Sequence, residues 1–385
     1  MRGAPKWIAA YVLVVAAFLA LIARYYHPGV GFTALIEFPQ SGHDLELPAV
    51  RSAPHYDHPD SAGYDGQFYA QIAVAPLLRD PAIDRALDNP PYRAHRILFP
   101  WLAWALGAGR PAWILQAAAL EDVLIWLGMA WLFARLIPPT SARHFVLWSG
   151  CLLPHGMLMC VRYALPDALS FLLIALAVLA VERGRPVLAS LITGAAGLAR
   201  ETSVLAAAAL LRFVRRPPRS WLIAAGCGLL CVLPLALWLD YLRSIYHAQA
   251  LTGGDHITPL SGVLWKLSSL GRALSRGAFT AALRDDLAAF VSLTTQGAWL
   301  AWHVVKRRAA PPWALVGAAF LLLTLMTHEA VWHGTPGAYT RVAMPLTLGV
   351  NVLLAREDSA PWWVIVLANL GIIPGVALML MFQWR

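Results

Sequence analysis

Apolar positions run along this chain in long uninterrupted blocks rather than in alternation. Residues 7–23, 111–135, 144–160, 164–181, 186–199, 203–214, 220–240, 287–305, 312–328, 340–354 and 361–381 form such blocks. A run of roughly 18 or more apolar residues is a candidate membrane-spanning helix. Strands of a membrane barrel would alternate instead, so a barrel is excluded. The pattern predicts an all-α polytopic membrane protein, one transmembrane domain over 1–385 with about eleven spanning helices. Runs 186–199 and 203–214 are short for a span, which tilt or bilayer thinning would compensate. The first run follows Arg2 and Lys6 and reads as a retained helix, since "ALIARYYHP" is a poor cleavage site.

Between the first and second runs the pattern changes. Residues 24–96 hold nine acids and six bases, many prolines and no spanning run. They predict a large first external loop with interfacial helices. One of these covers 66–78, with Phe68, Ile72 and Leu77 near one face. "RILFPWLAWALGAG" (96–109) is too short to span and reads as a half-helix leading into 111–135. A second external loop, 241–286, contains "GVLWKLSSLGRALSRG", where Leu264, Leu267, Leu270 and Leu274 share a helical face. That is an amphipathic helix on the outer surface.

Charge orients the helices. With the N-terminus in the cytoplasm, the even loops carry Arg135 and Arg143, Arg183 and Arg185, Arg212 to Arg219, Lys306 to Arg308, and Arg356. These clusters fall where the positive-inside rule places them, and the C-terminus is then outside. The net charge of +9 is spread over such short clusters, so it argues for a bilayer and against nucleic acid. At 59% hydrophobic and 13% charged, the chain lies far from the roughly 25% charge of soluble domains. Its four cysteines, Cys151, Cys160, Cys227 and Cys231, lie in apolar segments without metal spacing and read as small core residues. No internal repeat is visible, which argues against an inverted-repeat transporter.

The same parity sends every unusual polar cluster to the non-cytoplasmic face: "GYDGQFYAQIA" (63–73), "YRAHR" (92–96), "VRYALPD" (161–167), "ARETS" (199–203) and "HEAVWHGTPGAYTR" (328–341). Arg96, Arg162, Arg200 and Arg341 are guanidinium forks suited to phosphate oxygens at headgroup depth. An acid beside them would act as general base while the arginines stabilise a departing phosphate. Asp65 is the candidate base, and Tyr64, Gln67 and Tyr69 would bind sugar or acceptor. Asp167, Glu201, His328, His333 and Tyr339 complete the candidate binding set.

Blander roles compete. Asp65 suits an N-cap of the helix starting at Gly66. Asp167 suits a first helical turn. Arg200 and Glu201 suit a hairpin turn, and Arg341 suits snorkelling. His43, Asp44 and "HYDHPD" (55–60) have metal-ligand residue types but no ligand spacing; no metal is required, and a divalent cation stays open. Glu121 and Asp122 lie mid-span in 111–135. A proton path, a structural partner for an arginine and a shallower helix all fit them.

"YDGQFYAQIA", "YRAHRILFPWLAW", "PDALSFLLIALAV", "GLARETS" and "YTRVAMPL" together resemble bacterial multi-pass proteins of the GT-C glycosyltransferase superfamily. Those use polyprenyl-phosphate-linked sugars in cell-surface glycopolymer formation. The resemblance reaches to about residue 350, its most specific part being "YDGQ" with the Arg-Ile-Leu-Phe-Pro run. It implies a catalytic acid in the first external loop, matched by Asp65, and an inverting transfer without nucleotide-sugar. It also implies carrier-phosphate arginines, matched by Arg96, Arg200 and Arg341, with Arg162 as a further match. Two departures stand out. Asp65 is followed by Gly66 rather than a second acid, which leaves the base open to Asp57, Asp60 or Asp167. No soluble C-terminal domain is expected, which leaves acceptor recognition unexplained.

The resulting expectation is a glycosyltransferase of the bacterial plasma membrane with its site facing the periplasm or exterior. Its partners would be a polyprenyl-phosphate-sugar donor, a glycan, lipid or protein acceptor, and the bilayer. A transporter or flippase of a lipid-linked glycan is the first alternative. A metal-dependent membrane transferase or hydrolase using the histidines at 43–60 is the second.

Overall fold

A computed structural model of the chain describes residues 5–213, 218–246, 258–277, 279–306, 310–357 and 359–380. Residues 214–217 of the Arg212 to Arg219 cluster, Arg307 and Arg308, and residues 247–257 of the second loop lie outside them.

Among the described residues the chain is all-α apart from two short paired strands. Among the described residues, three helices are long and apolar enough to cross a membrane: Pro5–Ala23, Pro111–Leu136 and Trp221–Tyr246. Two bent pairs bring the count to five if each is one span, Ala142–Leu152 with His155–Tyr163 and Trp362–Ala368 with Ile372–Leu380. The expectation of about eleven spans is therefore corrected. Apolar composition continues through Pro154 and Gly371, but the backbone bends there, by 44° and 41°. Pro186–Ala199, Pro312–Met326 and Met344–Arg356 are apolar helices of 13 to 15 residues. At 1.5 Å per residue these reach only about 20 Å, short of a hydrocarbon core about 30 Å thick.

The 203–214 run is a different case. Glu201–Phe213 forms a 3₁₀ helix whose buried residues, Ser203, Ala206 and Ala209, recur every third position. That spacing matches three residues per turn, and small side chains let the helix sit close to its neighbours. At about 2 Å per residue its length is about 26 Å, more than an α-helix of the same sequence would give.

Helices in the middle of the bundle bury both sides, whereas Pro5–Ala23 and Trp221–Tyr246 leave most of their apolar surface exposed. Exposed Leu and Val on those helices suit contact with lipid rather than water. The first loop folds over one end of the bundle. Phe38–Pro39 pairs in parallel with Asp57–His58, followed by the Gly66–Val74 and Pro90–Ala94 helices. Leu98–Leu106 forms the half-helix expected at 96–109.

The second loop is rearranged relative to expectation. Ser261–Ser275 is a helix, and Leu264, Leu267 and Leu274 are exposed, as an outward apolar face requires. Leu270 is buried, and so is Lys266, whose Nζ lies 2.7 Å from Asp286 and 2.9 Å from the Gly334 carbonyl. A basic residue that reads as a solvated face instead locks this helix to the 328–341 segment.

Candidate functional site

The site forms where helices start or stop. Asp65 occupies the N-cap position of Gly66–Val74, but its side chain makes no capping bond. One of its oxygens instead lies 2.9 Å from an Arg93 nitrogen. Arg93 is itself held by a two-pronged contact to Asp88 at 2.8 and 2.7 Å and lies over the Phe68 ring. Burial opposes ionisation of Asp88, but the bonds and charge of Arg93 outweigh it and hold the carboxyl below its usual range. Gly66 is needed here for space: a Cβ at that position would stand 2.0 Å from the Tyr163 carbonyl oxygen. The glycine after the acid thus lets the first loop press against the end of His155–Tyr163.

Arg96 is buried just before the half-helix. It donates to the Tyr69 hydroxyl at 2.9 Å, to Tyr92 at 3.0 Å and to both oxygens of Glu201 at 3.3 Å. The backbone is extended at Arg200, between Pro186–Ala199 and Glu201–Phe213. This break sends Arg200 and Glu201 to different partners. Arg200 contacts Asp167, the first residue of Asp167–Glu182, and Arg341 reaches the other Asp167 oxygen at 3.4 Å. Arg341 is brought in by a second close approach, where a Cβ on Gly156 would meet the Thr340 carbonyl oxygen at 2.4 Å.

Three contact groups lie together here: Asp65 with Arg93, Arg96 with Tyr69, Tyr92 and Glu201, and Arg200 and Arg341 with Asp167; charge reaches between them, from Arg96 and Glu201 to Arg200 and from Asp65 and Arg341 to Tyr64. Tyr64 stacks on Tyr163 at 4.3 Å. Burial raises its phenol above the ordinary range, with Asp65 reinforcing and Arg341 opposing. Burial, Arg96 and Arg341 depress Arg200 to about 10, with Glu201 opposing. Arg200 therefore stays charged at neutral pH, and an added anion would offset the repulsion from Arg96 and Arg341. Its side chain is also the most open of these arginines, at 15% exposed. Glu201 is held at about 2; burial raises it, but Arg96 and Arg200 lower it more.

Several candidates lie elsewhere or act differently. Arg162 is fully enclosed, bonded to Glu37 and the Ala34 carbonyl, with its guanidinium over the Tyr25 and Tyr163 rings. It is a packed scaffold cation. Tyr69 is buried, and its hydroxyl positions Arg96. Gln67 is half-buried, with its amide against Gly63. His328 accepts from the Ala330 amide at 3.4 Å and His333 packs on Trp265, so both belong to the Lys266 lock. Tyr339 is buried there too, stacked on Trp332 at 4.4 Å. Among the alternative bases, Asp167 is clamped by two arginines, Asp57 faces His43 and His55, and Asp60 is exposed. Asp65 keeps 26% of its side chain accessible. Glu121 and Asp122 are both buried within Pro111–Leu136.

Sequence reasoning missed Arg93, Asp88 and Glu37. Arg93 stood inside the quoted "YRAHR" and was passed over for Arg96. Glu37 is 125 residues from Arg162, and its backbone has a positive φ of 65°, a strained setting that no local pattern announces. Compared with known proteins, the chain matches no family model, no curated protein and no solved structure.

Proposed function

We propose that the protein is a membrane glycosyltransferase that moves a sugar from a polyprenyl-phosphate carrier to an acceptor hydroxyl. The observation that carries this reading is the cluster: an accessible carboxylate, Asp65, paired with Arg93 at the same end of the bundle as Arg96 with Glu201 and as Arg200 and Arg341 with Asp167. A second feature supports it. Ala75 to Asp80 and Trp101, Trp104 and Ala105 line an apolar cavity of about 610 Å³. Trp101 lies five residues beyond Arg96, in the half-helix that follows it. A lipid tail in that cavity would leave its phosphate within reach of the arginines.

In this mechanism Asp65 takes the proton of the acceptor hydroxyl as its oxygen attacks the anomeric carbon from the face opposite the phosphate. The bond from that carbon to the phosphate oxygen breaks, and the carrier leaves as polyprenyl phosphate. Arg200 and Arg341 take up the charge that collects on the phosphate, loosening their hold on Asp167. Arg93 orients Asp65. Direct displacement inverts the anomeric centre. The site faces the periplasm or exterior of a bacterial plasma membrane, and no nucleotide-sugar is used.

The test is a transfer assay on purified protein in nanodiscs with radiolabelled polyprenyl-phosphate-sugars from a membrane extract. Label should move to a new product with wild type, and about 10²- to 10⁴-fold more slowly with Asp65→Asn. Equal transfer by both would remove Asp65 from its role. Carrier binding that needs Arg200 and Arg341, with no product from any donor, would instead indicate lipid-linked glycan transport.

A further inference from the structure

The first loop holds a second cluster, apart from these arginines. Successive strand residues point to opposite faces, so Asp57 and His58 diverge. His58 turns to Glu37 at 3.4 Å and the Ala34 carbonyl at 3.0 Å, on the Arg162 side. Asp57 turns the other way, to His43 and His55. His55 Nε2 lies 3.1 Å from Asp57 Oδ1 and 3.4 Å from Glu46 Oε2. His43 Nδ1 lies 3.4 Å from Asp57 Oδ2 and 3.6 Å from Glu46 Oε2. One ligand atom from each of the four residues falls within 4.8 Å of all the others.

We propose that His43, Glu46, His55 and Asp57 bind a divalent transition metal, zinc in the first instance. Three observations converge on this. The first is spacing. A tetrahedral ion with ligands at about 2.0–2.1 Å separates neighbouring ligand atoms by about 3.4 Å; one ligand atom from each residue lies within 4.8 Å of the others, and each histidine nitrogen is 3.1 to 3.6 Å from Glu46 and from one or other Asp57 oxygen.

The second is the state of the donor atoms. His43 Nδ1, both Glu46 oxygens, His55 Nε2 and Asp57 Oδ1 are buried without a hydrogen-bond partner. The Glu46 and His55 side chains are only 2% and 3% exposed. Among the described residues the Glu46 carboxylate faces only the two histidine nitrogens, at 3.6 and 3.4 Å, and a buried carboxylate without a hydrogen bond is costly.

The third is orientation. His55 Nδ1 lies 2.8 Å from the Ala53 carbonyl, so this nitrogen carries the proton and donates. Nε2 then faces the two carboxylates. A backbone carbonyl behind a histidine in this way is the usual outer support of a metal-ligating imidazole. Two imidazoles with two carboxylates favour zinc over magnesium or calcium, which prefer oxygen alone.

The site can load from one side, because His43 and Asp57 keep 38% and 29% of their side chains exposed. Its role is to brace. It ties the Gln40–Leu45 turn to the Asp57–His58 strand. The opposite face of that strand pair holds Arg162 through Glu37. The next residue, Tyr163, packs its backbone against Gly66 beside Asp65.

The experiment measures metal content and affinity on the full chain, purified in detergent with a non-histidine tag. Wild type dialysed against zinc should retain about one zinc per chain by mass spectrometry. Competition with a chromophoric chelator should show affinity at least about tenfold weaker in His43→Ala and Asp57→Asn. Both positions are part-exposed, so these variants keep a folded comparison if His55→Ala does not fold. Chelation should lower the melting temperature of wild type, with zinc restoring it, and should leave the Asp57→Asn, His43→Ala double variant unmoved. Wild type retaining less than about a tenth of an equivalent, as expected if His55 merely shares a proton with Glu46 and Asp57, overturns the proposal. Zinc held with equal affinity by wild type and the double variant overturns it too.

Discussion

Two arginines at the same end of the bundle have opposite fates. Arg162 has Glu37 for a partner, aromatic rings on two sides and no solvent exposure. Arg200 shares its carboxylate, Asp167, with Arg341, feels the charge of Arg96, and keeps part of its side chain open. The sequence contexts "VRYALPD" and "ARETS" look alike, each an arginine at the end of an apolar run. What separates scaffold from site is the local charge balance and an opening. A cation matched one to one and sealed holds the fold. A cation that shares its anion and can be reached is available to a ligand.

The largest expected effect breaks the closed member. Arg162→Leu leaves Glu37 buried without its cation and should cost about 3–5 kcal/mol of stability, read by unfolding in detergent. Unchanged stability would remove Arg162 from the scaffold. Arg200→Gln should leave melting nearly unchanged but weaken polyprenyl-phosphate binding by about 1.5–3 kcal/mol, the value of charged hydrogen bonds. A fold lost with Arg200→Gln would erase the contrast.

Gly66→Ala tests the close approach that joins the two regions. The added methyl collides with the Tyr163 carbonyl, and separating the segments should cost about 1–3 kcal/mol and slow transfer. Melting and transfer equal to wild type would show that the contact gives way freely.

The smallest effect is a pH dependence. The Glu201 carboxyl sits at about 2, against an ordinary 4.5. Because its folded value is depressed, its stabilisation is complete above pH 4.5 and is lost as pH falls toward 2. Wild type should therefore melt above Glu201→Gln at pH 7, with the gap closing between pH 4.5 and 2. A gap independent of pH would mean that the Glu201 charge is not what stabilises.

Much of this was legible in the pattern of residues. Apolar runs marked the helices, the loop at 24–96 stood apart, and the polar clusters at 63–73, 92–96, 161–167, 199–203 and 341 do meet. The number of spans was not legible. Composition does not change where the backbone bends at Pro154 and Gly371, nor where 203–213 tightens to a 3₁₀ helix. Pairings across long sequence separations were hidden as well, among them Arg162 with Glu37 and Lys266 with Asp286. The inward turn of Lys266 has no local signal either, since a lysine among leucines suits a wet face and only the docked helix buries it against Asp286. The histidines at 43 and 55 could be noticed by type, but Glu46 joins them only after the strands pair.

The most direct test of the contrast is a thermal shift with polyprenyl phosphate added to wild type and to Arg200→Gln in the same detergent. A ligand that binds only the folded state raises the melting temperature with its concentration, by about 2.7 kcal/mol of stabilisation at a hundredfold excess over its dissociation constant. The account predicts a concentration-dependent rise for wild type and little or none for Arg200→Gln. Equal shifts in both proteins, or no shift in either, would contradict a lipid-phosphate site built on the shared Asp167.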